Sequence, residues 1–163
     1  MQQDTSRYNK GISVVEIVIA SSVLLLAIVP IFGSFAVSLK STLVNIPFVQ
    51  GAFLLEEGNE ALINMRDWGW ASNIDTLTNG TTYRLSYLDG RWQATTTNSF
   101  VDGEFDRSFT LSAVNRDSGN NVVSTGGSLD TGTRKVTVSI SWREGNATTT
   151  KTMESYISNV FSN

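Results

Sequence analysis

From Ile17 to Leu39 the chain carries no charged side chain. As a helix rising about 1.5 Å per residue these 23 residues span roughly 35 Å, enough to cross the hydrocarbon core of a bilayer. The residue just before the run, Glu16, is acidic. A carboxylate at the start of a membrane helix is unfavourable, though by less than the roughly 2.5–3.5 kcal/mol of a central position. It calls for a partner. If the chain is cut after Gly11, Ile12 acquires a free α-amine four residues before Glu16. The two charges can then pair within one chain or between neighbours, driving association and fixing axial register.

The helical pattern continues beyond the apolar run. Phe48, Ala52, Leu55, Leu62 and Met65 make one apolar stripe, with Glu56, Glu57, Asn59 and Glu60 off it. Asp67-Trp68-Gly69-Trp70 predicts the end of the helix, with Gly69 near the stop. Trp68 and Trp70 read as core packing at a helix–sheet junction rather than as ligand contacts. Pro30 and Pro47 each remove a backbone donor and crowd the preceding turn, so each predicts a kink.

After residue 72 the period changes from helical to alternating. Tyr83, Leu85 and Tyr87 alternate with polar residues, Asp89-Gly90 signals a two-residue hairpin, and residues 91–95 return. Phe109, Leu111 and Ala113 alternate next. Arg134–Arg143 is the cleanest strand, with Val136, Val138, Ile140 and Trp142 on one face and Lys135, Thr137, Ser139 and Ser141 on the other. Glu144-Gly145-Asn146 predicts a turn into a Thr-rich strand ending near Tyr156, Ile157 and Phe161. One apolar and one polar face imply an antiparallel sheet covered on one side. The expected fold is α+β: a long N-terminal helix, transmembrane then amphipathic, packed on an antiparallel β-sheet head. Residues 115–133 read as a long loop between strands. Asp117, Asn120 and Asp130 within it match no calcium-loop spacing, and turn chemistry accounts for them better than a metal does.

Composition narrows the function. The chain has no Cys and no His, which removes disulfides, thiolate metal sites and the commonest general base. Its net charge is −3, and two of its twelve Lys/Arg precede the apolar run. No basic cluster of the kind that binds nucleic acid is visible, so no direct nucleic-acid binding is expected. There is no nucleophile–base–acid set and no phosphate loop, so no enzyme and no cofactor are expected. Asn79-Gly80-Thr81 and Asn146-Ala147-Thr148 match glycosylation sequons, a pattern that recurs by chance.

The first residues resemble a known signature. A polar leader with Arg7 and Lys10, then Gly11, the apolar Ile12, and Glu16 four positions on resemble the prepilin processing motif of type IV pilins and type II secretion pseudopilins. The resemblance is specific over residues 10–39. It implies that a membrane prepilin peptidase cuts after Gly11 on the cytoplasmic side and methylates the new N-terminus at Ile12. It implies that Glu16 is the filament-assembly glutamate, and that residues 1–11 are a leader, 12–39 a transmembrane assembly helix, 40–70 its amphipathic continuation and 71–163 the head. The family's lollipop fold matches the pattern read above. Its filament members carry a helix-breaking proline near the position of Pro30, where Gly33 and Ser34 also lie. Ile12 departs from the family's more frequent Phe, which fits a minor rather than a major subunit. The implied partners are other pilin subunits through the N-terminal helix, the peptidase, an inner-membrane assembly platform, and membrane lipid before assembly. The implied location is the inner membrane, single-pass with a cytoplasmic N-terminus, then an extracellular filament or periplasmic pseudopilus.

Two plainer readings remain beside it. A secretory signal would also show a basic start and an apolar run, with cleavage after Ser34-Phe35-Ala36 releasing a β-domain that binds a ligand. A simple single-pass anchor would keep Met1. Neither gives Gly11 and Glu16 a use at this spacing.

Overall fold

The computed structural model describes residues 13–161, and these fall in two compact units that divide between Asn45 and Ile46. Gly11 and Ile12 lie outside the described residues. Helix α1 (Val14–Trp68) runs unbroken over 55 residues, so neither Pro30 nor Pro47 ends it although each lacks the amide donor.

In the first unit every described large apolar side chain up to Val44 except Ile28 is exposed. An 18-residue window of α1 reaches a mean hydropathy of 2.6 with none of it buried. Three of the polar side chains here turn back on the backbone. Ser21 and Ser22 donate to the Val18 carbonyl at 3.0 and 2.7 Å, and Thr42 donates to that of Ser38 at 3.0 Å. Their donors are thereby hidden from an apolar surrounding. This is a candidate membrane-spanning helix, compatible with a single-pass membrane protein.

The second unit is a seven-stranded sheet covered on one face by the last third of α1. Its strands are β1 (Tyr83–Leu88), β2 (Arg91–Thr95), β3 (Phe100–Val101), β4 (Phe105–Arg116), β5 (Val122–Val123), β6 (Ser128–Glu144) and β7 (Ala147–Ser158). The order is β2-β1-β4-β6-β7, with β3 and β5 paired to β4, and every pairing is antiparallel. At the β1–β2 turn Asp89 and Gly90 have φ of 51° and 77°, the two positive values a tight hairpin turn of matching twist requires. Val136, Val138, Ile140 and Trp142 of β6 are all buried, as their alternation predicts. They meet Leu55, Leu62 and Met65 of α1 in one core.

The helix approaches this core through two glycines that the apolar stripe did not count. Positions 48, 51, 55, 58, 62 and 65 repeat at alternating steps of three and four, and Gly51 and Gly58 are buried among them. A Cβ at Gly51 would fall 2.9 Å from Trp142, and one at Gly58 would fall 2.8 Å from Val138. Ala52, placed on the stripe by sequence, is instead exposed. Backbone rather than side chain makes the contact at 51 and 58, so counting apolar side chains misplaced the stripe's edge.

Two further expectations are corrected. Ala113 does not continue the alternation of Phe109 and Leu111. β4 pairs Ala113 with Arg134 but Val114 with Asp130, so residues 131–133 of β6 bulge out of the ladder. The bulge re-aims the faces, and Val114 takes the buried place while Ala113 is exposed. Residues 115–133 are also not one long loop. β4 runs on to Arg116, β5 pairs with it, and β6 already starts at Ser128.

Candidate functional site

Glu16 sits in the first turn of α1, exposed, and its carboxylate is engaged locally. The Ser13 amide donates to Glu16 Oε2 at 3.0 Å, and the Val15 amide reaches Ser13 Oγ at 3.4 Å. The first helical bond, Ile17 N–H to Ser13 C=O, is 3.2 Å. Ser13 and Glu16 thus form a reciprocal cap, hydroxyl and carboxylate each satisfying an amide that the helix start leaves orphaned. The negative charge also lies at the positive end of the helix dipole. Ser-x-x-Glu ahead of an apolar run was readable in the sequence, so Glu16 has a role in addition to the assembly role that the resemblance implies. The α-amine partner of that second role would belong to Ile12, outside the described residues.

In the second unit, charged side chains are mostly spent on one another. Arg84 of β1 donates to both carboxylate oxygens of Asp106 at 2.9 and 3.0 Å, which holds its guanidinium pKa above the ordinary value. Arg107, buried on β4, reaches Glu57 of α1 at 2.5 Å with the Trp92 ring 5.1 Å from its guanidinium. Arg134 bonds Asp75 at 2.6 Å. Lys135 pairs with Glu154 at 2.8 Å on the uncovered face of the sheet, raising the lysine's pKa. These pairs tie neighbouring strands, or a strand to the helix or to the turn that follows it.

The two acidic residues singled out between 115 and 133 are likewise occupied. Asp117 accepts from the amides of Gly119 and Asn121, both at 2.9 Å, and its bonds to Asn121 hold its pKa below the usual carboxylate range. Asp130 accepts from Arg116 at 2.6 Å, and that bond chiefly lowers its pKa. Asn120 takes a positive φ of 65°, and its amide closes a turn onto the Asp117 carbonyl at 3.0 Å. Each does turn or ladder work. Among the described residues no three acidic side chains converge as a metal site would need.

Trp70 is buried, as a junction residue should be, but Trp68 is 53 % exposed. The Arg91 guanidinium lies 4.1 Å over its ring. Together they rim a cleft of about 300 Å³ that reaches Met65, Asn73, Thr76 and Trp92. Two further hollows, of about 470 and 500 Å³, lie by Phe100 and Arg143 and by Val122 and Tyr156. Sequence reasoning placed no site at Arg91. The signal available was a lone arginine just after a hairpin turn, which says nothing without the fold that brings Trp68 beneath it. Compared with known proteins, this chain has no matching family model, no matching curated protein and no matching solved structure.

Proposed function

We propose that this chain is a structural subunit, of the minor pilin kind, of a type IV pilus or pilus-like filament, assembled through its N-terminal helix after removal of residues 1–11. The observation that carries the reading is the first stretch of α1, where apolar side chains are exposed around the whole helix. Such a surface needs a nonaqueous neighbour: lipid before assembly, then the same helices of other subunits. Exposed apolar area costs about 25 cal/mol per Å² in water, so the segment partitions into one of those environments and does not stay in solution. Lys10-Gly11-Ile12 ahead of Glu16 then gives the resemblance to prepilins its specific content. The polar sheet head fits a body displayed at the filament surface, outside the membrane.

A second reading has its own observation. The Ser13–Glu16 cap gives Glu16 a purpose that needs no filament, so the chain can also be read as an anchored or exported β-domain that binds a ligand. The mature N-terminal residue separates these. Intact-mass analysis of the membrane-extracted protein should show a chain beginning at methylated Ile12. A chain beginning at Val37 establishes an ordinary secretory signal, and one beginning at Met1 establishes a plain anchor. Either result ends the pilin reading.

A further inference from the structure

We propose that the cleft rimmed by Trp68 and Arg91 is a binding site for an acidic sugar of the uronic-acid type. The cleft opens between the end of α1, the segment that follows it and the inner side of β2, all within the second unit, and the inference does not depend on filament assembly.

The charge comes first. Arg91 is the single charged residue that lines the cleft, and no carboxylate lines it. Among the described residues Arg91 makes no ion pair, as Arg143 makes none, whereas Arg66, Arg84, Arg107, Arg116 and Arg134 all do. Its guanidinium lies over the Trp68 indole, 4.1 Å from the ring centroid, which places a planar fork of donors at the mouth. A carboxylate is the anion whose geometry that fork matches.

The opposite wall specifies the rest of the ligand. Ser72 donates its hydroxyl to the Gly69 carbonyl at 3.3 Å, Thr76 donates its own to the Ser72 carbonyl at 3.0 Å, and Asn73 donates its amide nitrogen to the Met65 carbonyl at 3.1 Å. The hydroxyl donors are consumed by this segment's own backbone, and one amide donor of Asn73 with them. What the three side chains retain is mainly oxygen, Ser72 Oγ, Asn73 Oδ1 and Thr76 Oγ1, none accepting a hydrogen bond among the described residues, beside the second amide hydrogen of Asn73 and the Gln93 amide that also lines the cleft. A ligand that satisfies this cleft must bring an anionic group to Arg91 and several O–H donors to the wall. Its apolar ring face would meet Trp92, since the Trp68 ring is already covered by Arg91. A hexuronate has that combination. A simple carboxylate leaves the wall unmet. A phosphate backbone would set its own acceptors against the wall's, and one cation is too few to follow a nucleic-acid strand. The volume, about 300 Å³, is at the small end of the roughly 300–1,000 Å³ of ligand pockets, which suits one sugar ring.

The test titrates the full chain in detergent micelles with sodium glucuronate and galacturonate, against glucose, acetate and a short single-stranded oligonucleotide, by calorimetry and tryptophan emission. A saturable response to a hexuronate, at least tenfold weaker for glucose and for acetate, is expected. Arg91→Gln should weaken it at least tenfold with an unchanged melting temperature, since Arg91 is exposed. Thr76→Val, which keeps the shape and removes one acceptor together with the exposed bond to the Ser72 carbonyl, should weaken hexuronate binding while leaving the weak acetate response as it was. This second variant decides the matter should Arg91→Gln fail to fold. No saturable hexuronate response, an equal response to acetate, tighter binding of the oligonucleotide, or wild-type affinity in both variants would each overturn the proposal.

Discussion

The two stretches of α1 differ in what they do with the same kind of residue. Before Asn45, large apolar side chains point outward all round the helix; after Pro47, Leu55, Leu62 and Met65 point onto a sheet and are buried. One stretch is completed by its own chain. The other finds no such cover among the described residues and presents its apolar side chains outward. Helix propensity does not distinguish them, since both are parts of one unbroken helix. What distinguishes them is whether strands exist elsewhere in the sequence to supply a matching apolar face.

The largest expected effect removes one side of this comparison. A chain lacking residues 1–45 should be soluble without detergent and monomeric, with one helix and mostly strand by circular dichroism. Aggregation of that piece at micromolar concentration would show that the head does not complete its own core.

Next in size is a matched pair of substitutions. Trp142→Ala should destabilise the head by about 3–5 kcal/mol, because the indole is 2 % exposed and packed against Phe48 and Phe105. Phe32→Ala, an equally drastic loss from the other stretch, should change head unfolding in denaturant by under about 0.5 kcal/mol, Phe32 being 69 % exposed. Equal losses would mean that the two stretches are not separate in energy.

A smaller effect probes the close approach of helix and sheet. Gly58→Ala places a methyl 2.8 Å from Val138 Cγ1. Overpacking of this kind costs about 1–3 kcal/mol, against the gain of up to about 1 kcal/mol that alanine brings to an open helix position. A net stabilisation in denaturant melts would show that the helix has room to move away.

The smallest effect is on pH. The folded pKa of Asp130 is depressed, chiefly by its bond to Arg116. A depressed carboxylate pKa contributes stability above the unfolded value, about 3.9, and loses it as pH falls through the folded value. Head stability should therefore fall as pH drops below about 4. Asp130→Asn should start lower at neutral pH and fall less over that window. An unchanged slope in the variant would assign the acid sensitivity to other carboxylates.

Much of this was legible in the sequence because it is periodic. β6 alternates without a fault from Val136 to Trp142, and Asp89-Gly90 carries its own turn chemistry, so both could be placed to the residue. What escaped was structure made by backbone or by pairing. Gly51 and Gly58 add no apolar atoms to a stripe, so a count of side chains passes over them. The bulge at 131–133 depends on which β4 residues lie opposite, and it moved burial from Ala113 to Val114. Asp117 and Asp130 read as turn residues of one long loop, because the strand segments next to the Arg116 guanidinium and the Asn121 amide there are short or polar. Arg91 over Trp68 joins residues from two elements, and no local signal connects them.

Glu16 tests the account most directly, since the cap and the proposed filament pairing make different demands on it. Ser13→Ala removes the hydroxyl half of the cap, at a cost of about 0.5–2 kcal/mol to the helix start, but keeps the carboxylate. Glu16→Ala removes the carboxylate needed to meet a neighbour's α-amine. The measurement is the share of each variant in sheared filaments relative to its level in the membrane. The account predicts that Glu16→Ala is inserted and processed at wild-type level yet depleted at least tenfold from filaments, with Ser13→Ala close to wild type. Wild-type amounts of Glu16→Ala in the filament fraction, or equal depletion of both variants, would contradict it.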